Sequence, residues 1–402
     1  NGDVNLTTKF TQEGSSAIYA KETVSTDTSV VGEIKARNFS LNHSANSGIT
    51  DGIIRTNGNL DATGNLTVNA SGYKELKMSV TPVTAFSPIT DWEKITVGQD
   101  ATFNTTATVA GASVEIGYQP SPISIDETHV TVKSKSLSIN ANAASGITDS
   151  TLKLANYESL GGNIDITTNN QKTVDIGWLR GFNTNDNSKK SDVNINLNTN
   201  VADARVKIGT EDSTIHKYGI GTGTGLTDHA SVKNVNFKAY GQKTLEVKSI
   251  WAEGDINIDV KGNGIESTAT FKGHINGNNN VTINANSLRE LNLPIISGKD
   301  VVINTGTNNY LQNVTLHSIG GDYVTLDASN MSSPITPASG PSVNIGARKG
   351  VTIKAHAGNA VSSFVIDAVA PEIKEYIIDI INVKGAIYSY AGGDMEVLKI
   401  KG

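Results

Sequence analysis

The sequence contains no cysteine. That excludes a disulfide framework and thiolate chemistry, and it leaves the compartment open, since many exported bacterial proteins also lack the residue. Aromatic residues make up only 5%, so Phe and Trp are too few to fill a bulky globular core. No run of 18 apolar residues exists, which excludes a membrane-spanning helix. Charge of one sign is not concentrated either. The 33 basic and 39 acidic residues are dispersed and leave a net charge of -6. Nucleic-acid binding needs a concentrated basic stripe, and none is present.

What the chain does have is Gly, 39 residues of it, with abundant Asn, Thr and Ser. Gly and Asn tolerate the left-handed backbone of tight turns, and Thr, Val and Ile suit strands. The mixture specifies many short strands separated by many turns. Repeats confirm the pattern. Phe39 to Val68 aligns without a gap on Leu137 to Ile166, anchored by Ser-Gly-Ile-Thr-Asp at Ser47 to Asp51 and Ser145 to Asp149. Leu66-Thr67-Val68-Asn69-Ala70 returns as Val281-Thr282-Ile283-Asn284-Ala285. The shared unit is Gly/Asn, then Asn/Asp, then apolar-x-apolar, and it recurs at Gly2 to Leu6, Gly254 to Ile258 and Gly393 to Val397. Successive copies in the second half lie about 20 to 30 residues apart, the length of one solenoid coil.

Apolar-x-apolar places two side chains on one face of a short strand and one on the other. Gly and Asn ahead of it supply the corner, expected to have positive φ. Such a coil cannot bury its inner face alone, so it is stabilised by its neighbours. The expected fold is therefore all-β, a parallel β-helix (β-solenoid) with loop excursions, running as a single continuous solenoid over 1–402. More than ten coils at about 4.8 Å each would make a rod of roughly 60–80 Å or more. The expected core holds Leu66, Val68, Ile164, Ile166, Ile256, Ile258, Val281, Ile283, Val301, Ile303, Val351 and Ile353. Excursions are expected at 80–90, 182–190, 210–230 and the Pro-bearing 329–342. Helical character at Pro371 to Tyr376 gives way to a β-branched stretch through Ile381 that fits a strand. The first and last residues, Asn1 and Gly402, fit a processed chain or a window from a longer one.

Motifs that carry chemistry are sparse. Gly219-Ile220-Gly221-Thr222-Gly223-Thr224-Gly225 lacks the Lys-Ser/Thr and the βαβ setting of a phosphate loop, and it reads as a surface loop. Gly161-Gly162-Asn163, Gly320-Gly321-Asp322 and Gly392-Gly393-Asp394 are isolated and lack the third Gly of a calcium-binding tandem repeat, so they read as turns. His43, His129, His216 and His229 show no metal-ligand spacing and read as solvated surface residues. No metal and no cofactor is expected. A glycan-cleaving enzyme would need convergent carboxylates and aromatic platforms, whereas the carboxylates here are dispersed and Trp92, Trp178 and Trp251 lie far apart.

The recurring Gly64-Asn65-Leu66-Thr67-Val68-Asn69-Ala70 and its relatives resemble the repeats of large secreted bacterial exoproteins, the filamentous-haemagglutinin-like two-partner-secreted adhesins and the autotransporter passengers. The resemblance covers most of the chain and implies a right-handed coil, export across an outer membrane, and attachment to host cells or other bacteria. This chain has neither the Asn-Pro-Asn motif of that family's secretion domain nor a C-terminal membrane barrel. The function expected is a non-enzymatic adhesin or structural rod, extracellular or at the cell surface, whose partner is a surface receptor or glycan. The alternatives are a self-associating surface-layer or filament subunit and a polysaccharide-degrading β-helix enzyme. Loops on rigid scaffolds carry most binding. The expected ligand site is therefore the aromatic and basic cluster Trp178, Arg180, His216 and Tyr218, which suits an acidic or sugar-bearing ligand.

Overall fold

A computed structural model describes residues 2–19, 33–56, 58–78, 94–117, 132–181, 190–211, 217–221, 232–264, 266–305, 313–328, 335–339 and 343–355, with the backbone of further short strands at 23–24, 29–30, 364–368, 375–380, 387–391 and 398–401. Among the described residues there is no helix. The secondary structure is strand throughout, nearly all of it in parallel pairs. The chain divides into two compact units, Asn1–Ser231 and Val232–Gly402.

In the first unit the strands form three parallel ladders. The first runs through Val4–Phe10, Phe39–Ala45, Leu66–Ser71, Asp100–Ala107, Ser136–Ala143, Ile164–Asn169 and Ser191–Asn198. The second runs from Ser16–Tyr19 through Ile53–Thr56, Glu75–Met78, Ser113–Ile116, Thr151–Leu154 and Thr173–Ile176 to Arg205–Ile208. The third runs from Glu33–Ala36 through Asn59–Ala62, Ile95–Val97, Val132–Ser134 and Tyr157–Ser159 to Leu179–Gly181. The chain visits the ladders in turn and returns to the first. This arrangement is consistent with a solenoid or barrel-like parallel β fold. The gapless sequence repeat has a direct meaning here. Phe39 and Leu137 both belong to the first ladder, and Ile54 and Leu152 both belong to the second.

The second unit repeats the scheme with longer strands. Its first ladder begins Val232–Gln242, Ile256–Gly262, Val281–Asn286, Asp300–Asn304. Asn313–Ala328 contributes to all three ladders, through Val314, Ile319 and Val324, and turns one corner at a register shift between Gly321 and Tyr323. Glu375–Ile380 is a strand on the first ladder, as its β-branched composition requires.

In most strands buried and exposed side chains alternate. Leu66, Val68, Ile164, Ile166, Ile256, Ile258, Val281, Ile283, Val301, Ile303 and Val351 are all buried, and the side chain of Ile353 lies outside the described residues. Some outward positions stack like on like. Asn69 Nδ2 donates to Asn42 Oδ1 at 2.9 Å, Asn104 to Asn69 at 3.0 Å and Asn140 to Asn104 at 3.0 Å, over sequence steps of 27, 35 and 36 residues. In the second unit Asn257 donates to Asn236 at 3.1 Å and Asn304 to Asn284 at 2.8 Å, over steps of 21 and 20. Amide ladders of this kind hold a register that the backbone alone would let slip.

The corner chemistry differs from expectation. Gly64 and Gly254 do not adopt positive φ. They are glycines because a Cβ there would collide with the side-chain oxygen of Asn38 or Asn234 in the preceding coil. That oxygen accepts the backbone N–H of the next residue, Asn65 or Asp255, at 2.9 Å in each case. Asn65 and Asp255 then do the same for Asp100 at 3.2 Å and Asn280 at 3.1 Å. The repeated Gly-Asn/Asp is thus a stack of side-chain caps, each satisfying a donor that the turn leaves without a ladder partner.

Two expected excursions prove to be partly wall. Ile335–Pro337 pairs in parallel with Val314, Thr315 and Leu316, and Ile335 is buried. Pro337 is tolerated because it ends the strand. Within 210–230, Thr210–Glu211 and Lys217–Tyr218 form a short antiparallel pair, and Ile220 bridges Leu179 and is fully buried. The start of the Gly-rich run therefore extends the third ladder. Segment 80–90 and residues 182–189 lie outside the described residues.

His43 is also not a surface residue. It occupies an inward position in Phe39–Ala45, 6% exposed, with Phe10 edge-on at 4.3 Å and Thr8 Oγ1 at 2.7 Å from Nδ1. Burial pushes its pKa down to about 4. A base whose folded pKa lies below its unfolded value near 6.5 favours the folded state fully above the unfolded pKa. That advantage is lost as pH falls toward the folded one. Urea denaturation should show stability falling by up to about 3 kcal/mol from this group between pH 7 and pH 4. The paired carboxylates add their own losses in acid, so the His43→Leu variant is the control. Its pH dependence should be shallower, and an unchanged slope would show that His43 does not contribute.

Candidate functional site

The residues expected to form a ligand site meet the structure in different ways. Trp178 and Arg180 do come together, with the guanidinium 4.9 Å from the centre of the indole ring. They do not face solvent. Trp178 is 3% exposed, so its faces are closed to a stacking sugar. Its backbone N–H donates to Asn156 Oδ1 at 3.2 Å, at the corner entering Leu179–Gly181. The Arg180 side chain is turned onto Glu158, donating from Nε at 3.0 Å and from Nη2 at 2.5 Å, and Lys133 Nζ approaches the other carboxylate oxygen at 2.7 Å. Lys133, Glu158 and Arg180 are register neighbours on three successive strands of the third ladder. Burial raises the Glu158 pKa, but the two cations outweigh it and hold the carboxyl below its usual range. This cluster is a structural clamp between coils. His216 and the side chain of Tyr218 lie outside the described residues.

A second cluster lies in the second unit, around an open depression. An open trough of about 470 Å³ lies over the third ladder, lined by Asn276, Ser297, Lys299, Gly320, Asp322 and Arg348, with three further glycines and Asn278 completing it. That volume falls within the range of ordinary ligand sites. Its floor is part of one register position repeated along the third ladder, with Trp251 before and Gly346 after the lining residues. Trp251 pairs with Asn276, Asn276 with Ser297, Ser297 with Gly320, and Gly320 with Gly346. Ser297 Oγ donates to Asn276 Oδ1 at 2.8 Å, which fixes the amide. One wall is basic. Lys349 Nζ is 2.9 Å and Arg348 Nη1 4.0 Å from the Asp322 carboxylate, and the Arg348 side chain is 74% exposed. The Lys349 hydrogen bond, with Arg348 and Lys299 behind it, holds the Asp322 carboxyl below its usual range. Tyr323, beside Asp322, is 51% exposed, and the second unit's Trp251 is half-exposed beside His274, ring centres 5.8 Å apart.

The trough combines basic and polar residue types, with aromatic ones beside it, at positions the sequence did not single out as a ligand site. Gly320-Gly321-Asp322 was visible only as an isolated turn. Trp251, Asn276, Ser297 and Gly320 are separated by 25, 21 and 23 residues, too uneven a spacing to read as one column without each coil's length. Among the described residues no group of three or more His, Asp or Glu is placed to hold a metal ion. No protein-family model matches the chain, and no curated protein or solved structure shows significant similarity to it.

Proposed function

We propose that the chain is a bacterial cell-surface scaffold of the adhesin type, wound as a right-handed parallel β-helix with loop excursions, and that it binds a surface receptor or glycan without catalysing a reaction. The observation that carries this reading is the like-on-like stacking of outward residues, above all the Asn42, Asn69, Asn104 and Asn140 ladder. A wall that repeats itself coil after coil is stiff and chemically uniform, which serves display and reach. Recognition then belongs to the places where the repetition is broken. The resemblance of Gly64 to Ala70 to exoprotein repeats supports export and surface location.

The test is adhesion. Beads coated with the purified chain should attach to epithelial or bacterial cells well above albumin-coated beads, and negative-stain images should show elongated particles. Attachment no better than albumin would remove the adhesin reading, lattices or filaments in the images would favour a self-assembling subunit, and turnover of a polysaccharide panel would favour an enzyme.

A further inference from the structure

We infer that the trough over the third ladder of the second unit binds an acidic oligosaccharide, one bearing uronate or sulfate groups, laid across successive strands. This rests on the surface-binding reading and deepens it by naming the ligand class. Four features converge. First, the floor is a linear track, Asn276, Ser297 and Gly320, with Trp251 one strand beyond the lining, and it carries one residue per strand at the strand spacing of about 4.8 Å. A pyranose unit is comparable in length, so a glycan chain along the track meets a new side chain at each sugar.

Second, the glycine at the end of the track is not demanded by the fold. A Cβ at Gly320 would meet nothing closer than the Gly346 carbonyl at 4.0 Å, and its φ is not in the left-handed region. The neighbouring Gly298 and Gly321 differ, since a Cβ there would press on Val281 or on backbone oxygens. Gly320 leaves open a space that any small side chain would narrow. Third, the chemistry along the track suits sugars. A half-exposed indole offers a stacking face, and the Asn276 amide and Ser297 hydroxyl offer directional donors and acceptors to ring hydroxyls. Fourth, the flank carries Lys299, Arg348 and Lys349 around the carboxylate of Asp322. That surplus of positive charge beside a neutral floor selects an anionic sugar over an uncharged one.

The experiment is titration calorimetry of the whole chain with three probes, a tetragalacturonate, a heparin-derived tetrasaccharide and uncharged maltotetraose. At least one acidic probe should bind saturably and more weakly as salt rises, while maltotetraose should not bind. Lys299→Ala combined with Arg348→Ala removes exposed side chains and should leave the thermal melt unchanged while weakening binding about tenfold or more. Gly320→Phe should fill the trough and abolish binding, and Trp251→Ala should weaken the tetrasaccharide. A chain that binds neither acidic probe, or whose folded variants all bind as tightly as the parent, would overturn the inference. Cell adhesion is scored separately. Adhesion without oligosaccharide binding sinks this inference alone, and oligosaccharide binding without adhesion sinks the adhesin reading and keeps the site.

Discussion

Ile283→Asp should destabilise the second unit by at least about 4 kcal/mol, while Thr282→Asp, one residue away, should change stability by no more than about 0.5 kcal/mol. Ile283 is fully buried between Ile258 and Ile303, its register neighbours on the adjacent strands. Its register neighbours are both isoleucines, so an aspartate there must either remain ionised beside apolar side chains or take up a proton at a cost in free energy. Thr282 points to the other face, flanked by Asn257 and Val302, and is partly exposed. Urea unfolding followed by circular dichroism checks both. Equal losses at the two positions would mean that the strand register is shifted by one residue.

Glu158→Leu should cost about 3–5 kcal/mol, because it leaves Arg180 and Lys133 facing an apolar side chain where the carboxylate stood. The Glu158 side chain is 4% exposed and that of Arg180 14%, so little water reaches the pair to compensate. The same principle makes a second prediction. Replacing all three, with Lys133→Met and Arg180→Met added to Glu158→Leu, should recover most of the loss, since it removes every uncompensated charge. If the triple variant melts as low as the single one, the cluster does more than neutralise itself. The carboxyl is held below its ordinary range when folded. Its contribution is therefore complete above the unfolded value near 4.3 and disappears as pH falls through the folded one.

Much of the wall was legible in the residues. Apolar-x-apolar with period two fixed which side chains face inward, and the repeats at Ser47 and Ser145 marked equivalent coils correctly. Corner chemistry was legible only in outline. Gly-Asn reads as a turn from its tolerance of positive φ, yet Gly64 is needed because the Asn38 side chain of another coil, 26 residues before it in the sequence, reaches over it. Conformational preference is a property of one residue, whereas this close approach depends on a neighbour that only stacking supplies. The same limit applies to His43. Its alternation with Phe39 and Leu41 puts His43 on the inward face, but its partner Phe10 meets it only through the pairing of Val4–Phe10 with Phe39–Ala45.

The sequence by itself determined the class of structure. It has no cysteine or long apolar run, few aromatics, and a recurring short strand behind a polar corner. Those features admit stacked parallel strands, because each coil's apolar face is too narrow to be buried any other way. Only the tertiary structure decided which distant residues share a column. Coil lengths vary, with steps of 20 to 36 residues between the stacked asparagines. Sequence separation therefore does not reveal that Trp251, Asn276, Ser297 and Gly320 follow one another along a single track, or that Trp178 and Arg180 close on Glu158 instead of opening to a ligand. The physical reason is that hydrogen bonding between strands fixes register at every coil, while the corners absorb the differences in length.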